Sequence, residues 1–317
     1  MTRLFRPILA TIVLCLLSAH GASAQDDACR RRVIAVGASN TDNNMVTGMS
    51  PANFQGTMDH RPVEILSVTP NSTPARVIIV LDGSGSMTKE PKIWQAYLSV
   101  AQALVDQLPP STPMGFMLFT SQVELKGQLP TKHAAILDQL EQLRSRHKGA
   151  PTALYDTIQA AALQFNPPIP GDSIYALSDG DDDASRTTLA TVENLLVERG
   201  IRLFTFSISV AEIHPSKMRW DKKPSRDLVE FTGGYSVIIP AAQAESLPAR
   251  VGASSGPDPD LVQLRIQIKL ISNCERVELK LLEDLRKPKN LELKPAAITG
   301  PPLNLTFPGK LAACVAK

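Results

Sequence analysis

From residue 76 to about residue 240, short apolar runs alternate with stretches of three- and four-residue apolar spacing. Residues 77–81 form a continuous Val-Ile-Ile-Val-Leu run, as expected of a parallel strand covered on both faces. Ile93, Tyr97, Val100, Leu104 and Leu108 then make a helical stripe that Pro109-Pro110 ends. Residues 114–119 and 122–125 read as a strand pair with a tight turn at Thr120-Ser121. Ile136, Leu140 and Leu143 mark one short helix, and Leu154, Ile158, Ala161 and Phe165 another. Residues 174–177, 201–208 and 235–239 are further strands, with a helix through Leu189, Val192 and Leu196 that closes near Gly200. The right-handed crossover rule turns this alternation into a doubly wound, mainly parallel α/β sheet with helices on both faces.

The flanks follow a different rhythm. Residues 32–68 lack a helical period and contain strand-like pieces at 32–36 and 62–67. After a Gly/Pro/Ser-rich link at 252–259, residues 261–271 alternate, with Val262, Leu264, Ile266, Ile268 and Leu270 on one side, and read as a strand. Residues 276–282 and 291–293 continue that character. Both flanks are expected to be small β elements that pack together as one sandwich. The division is 1–24, 25–72, 73–254 and 255–317.

The first 24 residues carry a processing pattern. Arg3 and Arg6 precede an apolar stretch at 7–19, and Ala22-Ser23-Ala24 supplies a small-residue cleavage site. Cys15 follows Leu14, where a lipoprotein signal places a small residue, so no lipid anchor is expected. The mature chain is read as an exported, periplasmic or secreted protein. Losing Arg3 and Arg6 reduces Lys+Arg from 33 to 31 against 31 Asp+Glu, which disfavours nucleic acid and anionic membrane as partners. Cleavage leaves Cys29, Cys274 and Cys314, of which two should pair in an oxidising compartment. Cys274–Cys314 is favoured because both lie in the C-terminal segment, and Cys29 with a C-terminal cysteine is the rival. No CxxC or Cys/His spacing suits zinc.

Chemistry concentrates at Leu81-Asp82-Gly83-Ser84-Gly85-Ser86-Met87, a carboxylate and two hydroxyls at alternate positions where a buried strand meets a helix. Hard oxygens on a glycine-softened turn suit Mg²⁺, Mn²⁺ or Ca²⁺; the plainer reading is a turn with Ser86 as a helix cap. Asp179 ends a second apolar strand in Leu177-Ser178-Asp179-Gly180, and Thr152 opens a helix in Gly149-Ala150-Pro151-Thr152-Ala153-Leu154. Ligands of open α/β sheets gather beyond the carboxyl ends of the strands, so the five residues converge if the two strands are neighbours. The order D-x-S-x-S, G-x-x-T-x-L, S-D-G resembles the von Willebrand factor A-type domain and its metal-ion-dependent adhesion site, over roughly residues 74–245. The resemblance implies Asp82, Ser84, Ser86, Thr152 and Asp179 as ligands of Mg²⁺, with Mn²⁺ or Ca²⁺ as substitutes. It also implies a partner protein whose acidic side chain or C-terminus completes the coordination, met by loops near 120–133, 146–152 and 180–188. Upstream, Met45-Val46-Thr47-Gly48-Met49-Ser50-Pro51-Ala52-Asn53-Phe54 is similar to a V-T-G-L-x-P-x-D-F segment of exported bacterial proteins, where it belongs to a small β module. Two departures stand out: Ala150-Pro151 replaces paired glycines, and Lys89-Glu90 replaces the paired acids that hold an adjacent cation in integrin-type domains.

Other chemistries are disfavoured. A phosphatase with an aspartyl nucleophile needs an acid at 84, where Ser84 stands, and Ser84 is not centred in a G-x-S-x-G elbow. A phosphate-binding loop and an H-E-x-x-H motif are both lacking. The chain is thus read as a binding protein rather than an enzyme, with a metal-independent scaffold, or less so a metal-dependent hydrolase, as alternatives. Asp181-Asp182-Asp183 is read as a solvated run at a helix start rather than a Ca²⁺ site. His60, His133, His147 and His214 lack ligand spacing, and Trp94 and Trp220 are read as packing residues.

Overall fold

The computed structural model describes residues 29–71, 75–146, 149–209, 220, 222–252, 259–296 and 302–314. The processing segment, His147 and His214 lie outside them. Strands β1 (Arg31–Asn40), β2 (Phe54–Met58) and β3 (Arg61–Pro70) precede the α/β region. That region runs β4 (Val77–Asp82), α1 (Gly85–Thr88), α2 (Pro91–Gln107), β5 (Met114–Phe119), β6 (Val123–Lys126), α3 (His133–Gln142) and α4 (Leu154–Gln164). It continues through β7 (Ser173–Leu177), α5 (Leu189–Arg199), β8 (Arg202–Ser209), α6 (Lys223–Phe231), β9 (Ser236–Pro240), α7 (Leu247–Gly252) and α8 (Pro259–Ser272). Strands β10 (Glu275–Lys280), β11 (Lys289–Pro295), β12 (Leu303–Thr306) and β13 (Lys310–Leu311) follow.

The central sheet has the order β6-β5-β4-β7-β8-β9, parallel except for β6. Side-chain alternation along β4 divides the core: Val77, Ile79 and Leu81 face Trp94, Tyr97 and Leu104 of α2, while Ile78 and Val80 face Leu154 and Ile158 of α4 and Leu196 of α5. Both faces are covered, which explains why β4, β5 and β7 are buried along their full length. At the amino ends of the strands Arg76 makes a bidentate pair with buried Asp172, at 2.8 and 2.5 Å, fixing where β4 and β7 begin.

The flanks form not a sandwich but one curled antiparallel sheet, β12-β1-β10-β3-β2-β11-β13, around Ile34, Val36, Phe54, Val277, Leu279, Leu291 and Leu293. The V-T-G segment lies against it. Gly48 and Met49 donate their N–H groups to Oε1 of buried Glu275, and Asn53 accepts from the Ser50 N–H at 2.7 Å.

Two expectations need correction. Residues 261–271 are a helix, not a strand. Leu261, Leu264, Ile268 and Ile271 are its buried stripe, but Ile266 and Leu270 are buried as well. The helix lies between the α/β sheet, where Gln267 Nε2 reaches the Thr205 and Tyr235 carbonyls, and β1, where Leu270 packs on Gly37. Burial on opposite sides produced the alternation that mimics a strand. The disulfide joins Cys29 to Cys314, not Cys274 to Cys314, with a sequence separation of 285. Cys314 follows β13 and lies beside the start of β1, whereas Cys274 opens β10 as a buried thiol that accepts from Asn71 Nδ2.

Closing so long a loop should stabilise the fold by about 3–5 kcal/mol through the unfolded chain. Cys29→Ser is therefore expected to lower the unfolding free energy measured by urea titration by that amount, and reductant to do the same to the unmodified chain. Cys274→Ala should leave the disulfide in place, as checked by peptide mapping under non-reducing conditions.

Candidate metal site

Strand order reverses at β4: the chain goes outward to β5 and later returns to β7 on the other side. A crevice forms at such a point, beyond the strand ends. Leu81 pairs with Leu177 across the β4–β7 ladder, so Asp82 and the Ser178-Asp179 pair leave the sheet together. Asp82 is fully buried, Asp179 is 4% exposed, Ser84 1% and Thr152 5%. Ser86 is half-buried at the mouth.

Asp82 is aimed by its own turn: the Ser84 N–H donates to its Oδ1 at 2.9 Å, and the Ser178 hydroxyl to its Oδ2 at 2.7 Å. Ser84 Oγ and Ser86 Oγ lie 3.1 Å apart. Gly83 and Gly85 tie this turn to its neighbours, donating to the carbonyls of Phe119 at 2.8 Å and Ala150 at 3.1 Å. The structure thus brings the loops of Asp82, Ser84, Ser86, Thr152 and Asp179 to one end of the sheet, as the spacing expects. Ser86 does not act as a helix cap; the capping position before α1 belongs to Ser84.

The Ala150-Pro151 departure is accommodated by fixing the next residue from both sides. The Thr152 N–H donates to Asp183 Oδ1 at 2.6 Å, and the Thr152 carbonyl accepts from the Asp183 and Ala184 N–H groups at 3.0 Å. Asp182 accepts from the Tyr155 N–H at the start of α4 and from the Ser185 hydroxyl. Asp156 accepts from the Arg186 and Thr187 N–H groups; burial raises its carboxyl, but the Thr187 side chain together with these N–H groups outweighs that and holds it below the usual range. The acidic run is therefore not a solvated stretch at its own helix. It caps α4 from across the crevice and clasps the threonine loop, a role that depends on tertiary proximity and leaves no local signal.

Sequence reasoning also left out Ser178, Trp220 and Tyr97. Ser178 stands in the S-D-G motif and could have been found there. Trp220 Nε1 donates to the Ser178 carbonyl at 3.0 Å, and its ring lies on Gly180, which has φ +87° and no room for a Cβ. Tyr97 accepts from the Ile208 N–H at 2.8 Å; burial, and then the Asp179 charge, push its hydroxyl well above the usual range.

The electrostatics fit a hard cation. Burial first, and then the Asp179 carboxylate, raise Asp82 to about 7 against the hydrogen bonds from Ser178 and Ser84. No cationic side chain is among the largest influences on Asp82. Among the described residues no group of three or more His, Cys, Asp or Glu could hold a metal, so the candidate donor set has only two carboxylates and would depend on hydroxyls. Such a set suits Mg²⁺ with retained water better than a closed Ca²⁺ cage.

The raised carboxyl has a definite sign in chelator. Because Asp82 is harder to ionise folded than unfolded, its stabilising contribution is full below about pH 3.8 and is lost as pH rises through about 7. The chelated protein should lose denaturant resistance between pH 5 and pH 8. Asp82→Asn, which keeps the Ser84 bond, should flatten that slope and exceed the chelated parent at pH 8 by at least ~1 kcal/mol. Urea titrations across that range check both.

No curated protein sequence matches the chain. Among solved structures it is similar to BatB from Bacteroides thetaiotaomicron, at 17% identity over 60% of this chain and 98% of that one, with a TM-score of 0.43. An aerotolerance-related membrane protein from Bacteroides fragilis gives 17% identity over 56% and 96% of the chains, with a TM-score of 0.43. A von Willebrand factor type A protein from Catenulispora acidiphila gives 14% identity over 89% and 73%, also at 0.43. Residues 77–181, which run from β4 to the Asp179 loop, match the family of the von Willebrand factor type A domain, and the six-stranded sheet with its helices has that domain's fold.

Proposed function

We propose that the chain is an exported protein-binding module that holds a Mg²⁺-type cation at Asp82, Ser84, Ser86, Thr152 and Asp179 and offers it to an acidic group of another protein. The observation that carries this reading is the pair of buried carboxylates, Asp82 and Asp179, delivered to the same end of the sheet by β4 and β7 with the paired hydroxyls of Ser84 and Ser86 beside them. Two negative charges and three neutral hydroxyls leave a divalent ion with coordination positions still held by water. One such water would be open to exchange for a partner's carboxylate at the crevice mouth, where Ser86 is half-buried.

Within the site this chain's own groups divide the work. Asp82 and Asp179 supply charge, and the three hydroxyls supply neutral ligands. Ser178 and the Ser84 N–H orient Asp82, while Asp183 holds the threonine loop. The Cys29–Cys314 disulfide supports an oxidising compartment and hence export. No helix among the described residues is long and apolar enough to cross a membrane.

Mg²⁺ or Mn²⁺ titrated into the chelated protein should give one saturable site, with the thermal midpoint rising as binding to the folded state adds about 2–3 kcal/mol at a hundredfold excess over Kd. Asp82→Ala should abolish the response and Asp183→Ala should weaken it severalfold while leaving the fold intact. Calorimetry with no saturable site in the parent protein would remove the metal and favour a metal-independent scaffold.

A further inference from the structure

The rim of the crevice is electrically lopsided. On one side Lys89 follows α1, and its stem lies over the seam between the two hydroxyl-bearing loops. A Cβ on Gly85, which stands between Ser84 and Ser86, would come 3.5 Å from Lys89 Cε, and one on Gly149, three residues before Thr152, 3.6 Å. The same seam is closed by the Gly85 N–H bond to the Ala150 carbonyl. Lys89 is exposed and, unlike Lys92, which pairs with Glu245 at 2.6 Å, it makes no ion pair with a described residue. The Thr152 loop carries Asp182 and Asp183 bonded to its other side, with Asp183 exposed.

We propose that Lys89 is a specificity-determining residue that selects an acidic peptide segment carrying a second carboxylate close to the one that completes the cation's coordination. The proposal rests on the metal reading above. A second acid two residues further along an extended segment lies about 7 Å away, within reach of a lysine that covers the ligand loops. It is attracted to the Lys89 side and repelled from the Asp181–Asp183 side, which gives the segment a preferred direction across the crevice. A positive charge at this place opposes Mg²⁺ and favours an anion. Removing it should therefore move the two affinities in opposite directions, which loss of structure alone does not do.

The test uses two fluorescein-labelled peptides, Gly-Gly-Asp-Gly-Gly-Gly-Gly and Gly-Gly-Asp-Gly-Asp-Gly-Gly, titrated by anisotropy in Mg²⁺ and in EDTA, with Mg²⁺ uptake measured separately by calorimetry. The parent protein should bind the two-acid peptide about threefold or more tightly than the one-acid peptide, and only in Mg²⁺. Lys89→Gln should erase the preference, Lys89→Glu should reverse it, and Lys89→Arg should keep it. Both charge-removing variants should bind Mg²⁺ at least as tightly as the parent. A preference that survives Lys89→Gln, or one that is equal in EDTA, overturns the proposal. So does Lys89-dependent, EDTA-insensitive binding to phosphatidylglycerol vesicles, which would assign the lysine to a membrane surface. Mg²⁺ uptake without any peptide preference removes the role of Lys89 alone, whereas failure of the parent to take up Mg²⁺ removes the metal reading itself.

Discussion

Two carboxylates forced together out of water are the constraint on which this structure turns. The parallel pairing of β4 with β7, in register from Val77 with Ser173 to Leu81 with Leu177, delivers Asp82 and Asp179 to the same buried end of the sheet. Like charges in such a place raise one another's cost of ionisation, and the fold carries that cost because both sheet faces are packed and the strand starts are pinned by Arg76 and Asp172. The unfavourable pair is tolerated by the surrounding core rather than relieved within it.

The loops around the pair are rigid for reasons that are individually modest. Backbone N–H groups of Gly83 and Gly85, the hydroxyl of Ser178 and the carboxylates of Asp156, Asp182 and Asp183 each make one or two directed bonds. Together they bind the ends of β4, β5 and β7 to the start of α4, so that no ligand-bearing loop is fixed only by its own sequence. Arg146 adds to this from the outside: it pairs with Glu124, which in turn accepts from Thr120, while Ala153 donates to the Thr120 carbonyl.

What could be read from the chain depended on how one-sided each environment is. Strands β4 and β7 were legible because uniform burial gives an uninterrupted apolar run, and the D-x-S-x-S turn because its oxygens alternate on a short loop. Helix α8 was not, because it is buried toward both the α/β sheet and β1 and so shows a strand-like alternation over its helical stripe. Helix α6 was missed because only Leu228, Val229 and Phe231 mark it within a polar sequence. Strands β12 and β13, four and two residues long, are too short for any period to register. The clasp made by Asp182 and Asp183 and the Cys29–Cys314 pairing both join distant segments, and no local pattern encodes them.

The curled antiparallel sheet is assembled from the two extremities of the chain, with β3 hydrogen-bonded to β10 although the whole α/β region separates them. During synthesis from the amino terminus, β2 and β3 can pair with each other at once, but β1 has neither neighbour, and β2 and β3 each lack one, until β10 to β12 appear. The α/β region, whose pairings are confined to its own segment, is free to fold meanwhile, because nearby contacts close before remote ones. Its maturation brings the end of β3 beside the start of β10, and so works as a template that shortens the remaining search for the terminal strands. Completion of the outer sheet thereby becomes the last event in building the molecule, and the sulfur bridge seals it as a latch closes a ring.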